Sequence, residues 1–222
     1  MSGTRIVLVR HGVTDWNLEG RFQGHLDPPL SEAGHREAAL VAERIAADAA
    51  LRPSRVISSS LTRAVQTAEC IGRQSGVPVE QDRRLMEIGQ GEWEGRTHAE
   101  LEVTDAGRYR AWRDAAGIRQ PPGGESVESA SQRVSEVVAE ITASDGGTVC
   151  LVSHGGTMRI LAHALLDLAD DRSWSLDADN AAISLTTLVN GQWRLDRWND
   201  TRHLLGLEIT HVDEADGRPL AL

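Results

Sequence analysis

The first hydrophobic segment of the chain predicts a buried strand that ends at a turn with an arginine and a histidine. Ile6-Val7-Leu8-Val9 is short, apolar and rich in β-branched residues, and it stops abruptly at Arg10-His11-Gly12. In open α/β sheets, ligands bind at the carboxyl ends of the strands. Glycine after the histidine permits a sharp turn and the close approach of a ligand. We therefore expect Arg10 and His11 to lie at a site.

Short apolar strands alternate with amphipathic helices in the first half of the chain. Ser31 is a typical N-cap, and the apolar spacing that follows predicts a helix from about Glu32 to Asp48. Arg55–Ser58 is typical of a short buried strand. A third strand is predicted at 77–80, near a sheet edge because it contains Pro78. This alternation is typical of α/β proteins.

The second half of the chain predicts a helical insert, a central strand and a hairpin. Thr97 and Glu100 form a capping-box pattern, and helical periodicity continues with breaks to about residue 143. Thr148–Ser153 is a continuous apolar run, which is typical of a central strand in a parallel sheet. Residues 180–198 predict a final hairpin across Asn190-Gly191, a strong turn signal.

Composition limits the class of protein. The 222 residues are 40% hydrophobic and 25% charged, which is enough for one sizeable core. A single domain is expected over residues 1–207, with the helical insert at about 97–143 and a loosely ordered tail at 208–222. The formal net charge of −10 disfavours nucleic acid or an anionic membrane as partners. Any anionic substrate must therefore be held by locally placed arginines.

The location of the protein is expected to be cytoplasmic. No leader pattern precedes the first strand, and no apolar run is long enough to span a bilayer. Cys70 and Cys150 have no metal or redox spacing, so they are interpreted as reduced core thiols. Whether the protein forms a homodimer stays open, because nothing in the sequence identifies an interface.

The eight residues from Arg10 to Asn17 combine a cation, an imidazole and three hydrogen-bonding side chains. This combination is typical of an anion site that contains a nucleophile. The loop 18–29, with Arg21, Gln23 and Gly24, could fold over such a site. A structural interpretation also stays open here, because a lone histidine at a strand end is more often a packing residue.

Arg63 and Glu87 are further charged candidates. Arg63 would lie in the first turn of a helix capped by the serines at 58–60, where a cation is unfavourable unless an anion shares the position. The alternative is a surface arginine paired with an acid such as Glu69. Glu87 stands between apolar neighbours, so its side chain is expected to face inward; the alternative is a polar loop with one buried glutamate.

A second histidine repeats the arrangement of the first. The strand Thr148–Ser153 ends in His154-Gly155-Gly156, as the opening strand ends in His11 and a glycine. Parallel strands present their carboxyl ends at one edge of a sheet, so both imidazoles could contact one ligand. The N–H groups of the two glycines begin a helix and suit an anion.

Four motifs, in the correct order, resemble the signatures of the histidine phosphatase superfamily, the phosphoglycerate mutase-like proteins. They are Arg10-His11-Gly12-Val13-Thr14-Asp15-Trp16-Asn17, the Ser-Ser-x-Leu-x-Arg-Ala-x-Gln-Thr-Ala run at 58–68, Glu87 with the Gly-Glu-Trp-Glu-Gly segment at 91–95, and Ser153-His154-Gly155-Gly156. The resemblance implies a three-layer α/β/α sandwich with a mostly parallel central sheet. The Gly-x-Trp-Glu-Gly segment is typical of the phosphatase branch.

The resemblance also implies phosphoryl transfer through a phosphohistidine. The expected catalytic residues are His11 as nucleophile, Glu87 as general acid, and Arg10, Arg63 and His154 on the phosphoryl oxygens. The expected substrate-binding residues are Asn17, Arg21, Gln23, Gly24 and Gly155. A backbone carbonyl should hold the proton on the second ring nitrogen of His11. No metal or cofactor is expected, because two guanidiniums and an imidazole supply positive charge.

The expected substrate is a small phosphorylated metabolite, such as a sugar phosphate or a phosphoglycerate derivative. Several side chains are candidates for the rim of the site beyond the phosphate; they are Trp16, Phe22, Trp93, Tyr109, Trp112, Arg113 and Arg119. A core or surface role is an equal alternative for those in the insert.

Three other functions are weighed against this one. A cofactor-dependent phosphoglycerate mutase would use the same machinery, but Trp112-Arg113 lacks the paired arginines expected of it. A metallohydrolase that uses His11 and His154 is disfavoured because there is no close His-x-His or His-x-Asp pair. A non-catalytic phosphate-binding protein is disfavoured because no expected motif residue is missing.

Overall fold

The computed structural model describes residues 3–114, 120–144, 146–168 and 176–207. The elements in chain order are β1 (Arg5–Arg10), α1 (Asp15–Leu18), α2 (Glu32–Ala47), β2 (Arg55–Ser58), α3 (Thr62–Ser75), β3 (Val79–Gln81), α4 (His98–Thr104), α5 (Ala106–Asp114), α6 (Val127–Thr142), β4 (Thr148–Ser153), α7 (Gly155–Leu166), β5 (Ile183–Val189) and β6 (Gln192–Asp200). The six strands form one sheet in the order β3-β2-β4-β1-β5-β6. The predicted fold class is confirmed, including a helical insert between β3 and β4.

The sheet has helices on both faces because its central strands are apolar on both faces. Ile6 and Leu8 of β1 pack in one hydrophobic cluster with residues of α6 and α7. Val7 and Val9 point the opposite way and pack with residues of α2 and α3. Alternate side chains of a strand point to opposite faces, so one short strand contributes to both cores. This arrangement gives the three layers.

Strand pairing brings the two histidine-bearing strands together at the centre of the sheet. β1 and β4 pair in parallel with Arg10 opposite Ser153. β4 is buried along its whole length, as its apolar sequence predicts. β5 pairs antiparallel with the other side of β1 and forms the predicted hairpin with β6. β3 lies at the sheet edge, as its neighbouring proline predicts.

The start of α3 differs from the prediction. The N-cap position is Leu61, which makes no side-chain capping bond. Asp27, in the preceding loop, accepts hydrogen bonds from the N–H and the hydroxyl of Thr62, both at 2.7 Å. The prediction of a serine cap is therefore wrong, because the hydroxyls of Ser58 and Ser59 are turned inward to other partners.

The insert packs an aromatic cluster made of Phe22, Trp93, Leu101, Tyr109 and Trp112. All five side chains are buried, so four of the aromatic residues proposed for the rim are core residues instead. For Tyr109 and Trp112 the core alternative is therefore the correct one. Trp16 alone of the rim aromatics is partly exposed among the described residues.

The remaining expectations concern two arginines of the insert, the C-terminal tail and membrane helices. Arg113 forms an ion pair with Glu102, while Arg119 lies outside the described residues. Residues 208–222, where a loose tail is predicted, also lie outside them. Within the described segments, no helix is both long enough and apolar enough to cross a membrane.

We expect Gly34→Ala to lower the free energy of unfolding by about 1–3 kcal/mol, because overpacking forces the backbone to shift. A Cβ on Gly34 of α2 would lie 2.0 Å from the carbonyl oxygen of Val13. Urea denaturation measures the change. The control is Gly107→Ala in α5, where a Cβ would meet no atom within 4 Å. Equal stability of the two variants would contradict the close packing at Gly34.

Candidate active site

His11 and His154 lie side by side at the carboxyl edge of the sheet. Each follows directly the last residue of its strand, and the two strands are neighbours. The centroids of the two imidazole rings are 5.1 Å apart, and the ring planes are tilted by 56°. Both side chains are buried. The sequence expectation that the two histidines converge is thus supported by their geometry.

The tautomer of His11 is fixed by the turn that follows it. Its Nδ1 lies 2.7 Å from the carbonyl oxygen of Gly12. A carbonyl can only accept a hydrogen bond, so Nδ1 carries the proton and Nε2 is left bare. Burial and the charges of Arg63 and Arg10 lower the pKa of His11 well below its usual 6.5. The histidine is therefore neutral at pH 7, with a lone pair on Nε2.

The turn after His11 is held by side chains from α2 and α3. The N–H of Gly12 donates to Thr67 Oγ1 at 3.1 Å, and the N–H of Val13 donates to Glu37 Oε2 at 2.7 Å. A Cβ on Gly12 would lie 2.5 Å from the carbonyl oxygen of Gly34, so only glycine fits there. Glu37 was not predicted, because a side chain that supports a turn from a distant helix leaves no local signal. Thr67 stands in the motif at 58–68, but no role was predicted for it.

Arg10 and Arg63 bring two buried guanidiniums to the same site. Arg10 Nη1 donates to the carbonyl of Ala178, and Arg63 donates to the carbonyls of Leu26 and Gly24, each at 2.9 Å. The Nε atoms of both arginines are buried without a hydrogen-bond partner among the described residues. Carbonyl oxygens carry no formal charge, so the positive charge of both groups remains for an anion.

The surface alternative for Arg63 is wrong, because its side chain is 1% exposed. The nearest carboxylate oxygen recorded for it belongs to Asp27, at 3.9 Å, rather than to Glu69. Burial lowers the pKa of Arg63 to about 10, so it stays protonated at pH 7.

His154 is the N-cap residue of α7, but its ring makes no capping bond. Its Nε2 lies 2.8 Å from the hydroxyl of Ser59, while its Nδ1 is buried without a partner among the described residues. Burial and the charges of Arg63 and Arg10 lower the pKa of His154 well below 6.5. The expectation that this imidazole adds positive charge is therefore wrong: it is neutral at pH 7 and can contribute one N–H.

Glu87 is buried and held by the N-terminus of α7. Oε1 accepts the N–H of Thr157 at 3.0 Å and that of Ile88 at 2.9 Å, and Oε2 accepts the N–H of Gly156 at 3.2 Å. The sequence analysis assigned the Gly156 N–H to a bound anion. The structure corrects this, because the helix end takes the carboxylate of Glu87 instead.

Of the five predicted substrate-binding residues, Gly24 and Gly155 contact the arginines of this site, and Asn17 is linked to the backbone of His11 through Asn180 Nδ2. Asn17 Oδ1 accepts bonds from the N–H and hydroxyl of Thr14, which leaves its Nδ2 as a donor. Gly155 lies against the guanidinium of Arg10, since a Cβ there would be 3.4 Å from Cζ. Gln23 is buried and precedes Gly24, whose carbonyl holds Arg63.

Arg21 is placed differently from the other four. Its guanidinium bonds to Glu19 and to the carbonyl of Gly95, and it lies over the ring of Trp16. The structure does not bring Arg21 to the histidines. The prediction relied on nearness in sequence, but the bonds of Arg21 are to Glu19 and to the carbonyl of Gly95.

The site can bind a compact anion against a neutral nucleophile. The ends of β1 and β4 are surrounded by the guanidiniums of Arg10 and Arg63 and by two imidazoles. His11 has a bare nitrogen, and His154 has a nitrogen without a partner among the described residues. Across the described ranges, no group of three His, Cys, Asp or Glu side chains is placed to hold a metal ion. A mostly parallel sheet in an α/β/α sandwich with these groups at its carboxyl edge fits the transfer of a phosphoryl group.

The chain belongs to the histidine phosphatase superfamily, branch 1, whose family model matches residues 6–201. The resemblance drawn from the four motifs is thus confirmed. The chain is 37% identical over 218 residues to glucosyl-3-phosphoglycerate phosphatase of Mycobacterium tuberculosis strain H37Rv, covering 90% of this chain and 96% of the relative. It is 34% identical over 203 residues to phosphoglycerate mutase-like protein 4 of Arabidopsis thaliana, covering 90% and 86%.

A solved structure supports the same relationship. Mycobacterial glucosyl-3-phosphoglycerate phosphatase in complex with VO3 matches with a TM-score of 0.81 and 37% identity, covering 89% of this chain and 100% of that one. The family and the phosphatase relatives confirm the prediction of a phosphomonoester hydrolase.

We expect stability to fall in acid because of the two site histidines. Their pKa values are lowered in the folded protein, so the unfolded chain binds protons first as the pH drops below about 6.5. The free energy of unfolding should decrease by up to about 1.4 kcal/mol per pH unit for each histidine, from pH 6.5 down to the folded pKa. Urea denaturation from neutral pH downward measures this.

The variant His11→Asn should lose part of that pH dependence, whereas His35→Asn should keep it. His35 is exposed on α2 and serves as the matched control. A pH dependence unchanged in His11→Asn would contradict the buried neutral histidine.

Proposed function

We propose that the protein hydrolyses the phosphomonoester of a small metabolite through a phosphohistidine on His11. One observation carries the proposal: His11 is buried and neutral with Nε2 bare, beside two guanidiniums whose acceptors are uncharged carbonyls. A neutral imidazole nitrogen is a nucleophile, and the arginines attract the phosphoryl group that it attacks.

The first step forms the bond between Nε2 of His11 and phosphorus. The bond between phosphorus and the ester oxygen breaks in line with it. Arg10, Arg63 and a donated N–H from His154 stabilise the negative charge on the equatorial oxygens, with Asn17 as an additional donor. Gln23 and Gly155 contribute to the same pocket in this proposal.

Glu87 supplies the proton to the leaving oxygen. Its Oε2 accepts a single, longer bond, whereas Oε1 accepts bonds from two N–H groups and lies 3.3 Å from the hydroxyl of Thr157. Oε2 is thus the oxygen with capacity to carry and release a proton. In the second step the ionised carboxylate takes a proton from water, which attacks phosphorus and frees His11.

The substrate class that the relatives support is a phosphorylated sugar or glycerate. The relatives described above include a glucosyl-3-phosphoglycerate phosphatase, and a mycobacterial structure of that enzyme was solved with VO3. We propose that the enzyme acts in the cytoplasm without nucleic acid, a setting that the net charge of −10 and the two free cysteines support.

We expect the purified protein to release phosphate in excess chelator. The panel is p-nitrophenyl phosphate, 3-phosphoglycerate, glucosyl-3-phosphoglycerate, ribazole phosphate and sugar phosphates. His11→Ala should lower the release by roughly a thousandfold or more and abolish the phosphoenzyme, because the nucleophile is gone. His35→Ala, which removes an exposed histidine, should have no effect.

Two outcomes would contradict this function. Near wild-type activity in His11→Ala would refute the nucleophile. No phosphate release, together with interconversion of 2- and 3-phosphoglycerate when 2,3-bisphosphoglycerate is added, would identify a mutase instead.

We expect Glu87→Gln to slow alkyl phosphates by about 10²–10⁴-fold and p-nitrophenyl phosphate much less, because only a poor leaving group needs the proton. Steady-state kinetics on both substrates measure the ratio. The control is Glu92→Gln, which removes the charge of an exposed glutamate paired with Arg108. Equal losses on both substrates would show that Glu87 is not the acid.

A further inference from the structure

We infer that Ser59 is a positioning residue that holds neutral His154 in the tautomer with its proton on Nδ1. The two adjacent imidazoles of the site then have opposite roles: His11 presents a bare nitrogen and His154 presents an N–H. The contribution to catalysis rests on the proposed phosphoryl transfer, whereas the tautomer itself does not.

The surroundings of Ser59 decide whether its hydroxyl donates to His154 or accepts from it. Its hydroxyl has one proton, and its oxygen already accepts the N–H of Leu61 at 3.3 Å. Within the described part of the chain, the one acceptor in reach of that proton is Nε2 of His154, at 2.8 Å. Ser59 is fully buried, so a hydroxyl donating to nothing would bear the full desolvation cost. The serine therefore donates and Nε2 accepts.

The second nitrogen of His154 gives the same answer. A neutral imidazole has one N–H, so an accepting Nε2 places the proton on Nδ1. This Nδ1 is buried and unpartnered among the described residues, which marks it as the end that meets a ligand. The opposite tautomer would turn a lone pair toward an anionic phosphoryl group, which is repulsive.

The comparison with His11 shows why a dedicated serine is needed. The carbonyl of Gly12 accepts from Nδ1 of His11 and so exposes a bare Nε2. His154 needs the reverse arrangement around its ring, with a donor at the supporting end and the proton at the free end. A hydroxyl can donate there, whereas a backbone carbonyl cannot. Burial near Arg63 and Arg10 keeps the imidazole neutral, so its tautomer matters.

The tautomer can be measured without any substrate. The protein is labelled with ¹⁵N histidine, and the two ring nitrogens of His154 are assigned by comparison with His154→Gln. We expect Nδ1 to show the shift of a protonated nitrogen and Nε2 that of a bare one. A protonated Nε2 would overturn the inference. Because the resting protein is used, an inactive wild type would overturn the proposed function and leave this result standing.

Variants of two neighbouring buried serines separate positioning from packing. Ser59→Ala should move the proton of His154 toward Nε2 and lower kcat about tenfold, with little change in KM. Ser58→Ala is the matched control, because Ser58 is equally buried but its hydroxyl bonds to the carbonyl of Ser59. Thermal unfolding reports the packing loss in both.

The conservative variant Ser59→Thr, which keeps a hydroxyl, should recover the wild-type tautomer and much of the lost kcat. An unchanged tautomer in Ser59→Ala would overturn the role of Ser59. So would an equal loss of kcat in Ser58→Ala at equal stability.

Discussion

The parallel pairing of β1 with β4 is the constraint on which the site depends. The register sets Arg10 opposite Ser153, so the next residue of each strand is a histidine at the same height. A shift of the pairing would move one imidazole ring along the strand by about 3.3 Å per residue. The two rings would then no longer lie side by side. The apolar side chains on both faces of these strands hold the register, because a one-residue slip would reverse every face.

The chemistry of the site follows from burying two guanidiniums whose hydrogen-bond acceptors are uncharged. Arg10 and Arg63 are desolvated, yet their hydrogen-bond acceptors are carbonyl oxygens of loops. The same environment penalises protonation of the two imidazoles. Burying these groups lowers the stability of the fold, but it keeps a neutral nucleophile beside two cations. In water the imidazole would not be held neutral in this way.

The site residues at the ends of strands and helices could be predicted from the sequence. The side chains that hold these residues in place were harder to predict. His11, His154 and Arg63 stand directly after or within elements whose apolar pattern is clear, so their convergence could be foreseen. Glu37 acts across the fold on a backbone atom, and no local pattern identifies such a contact. Thr67 and Ser59 belong to the motif at 58–68, but the atoms that they contact could not be read from it. Arg21 was predicted at the site from its nearness in sequence, which does not fix where a loop side chain finds its partners; it bonds to Glu19 and Gly95.

The aromatic cluster connects the helical insert to the loop that holds Arg63. Phe22 packs between Trp93 and Trp112, and two residues later the carbonyl of Gly24 holds Arg63. The insert is consequently not an independent module that can be exchanged freely. A change in the packing of the insert helices is therefore transmitted through one short loop to an arginine of the site.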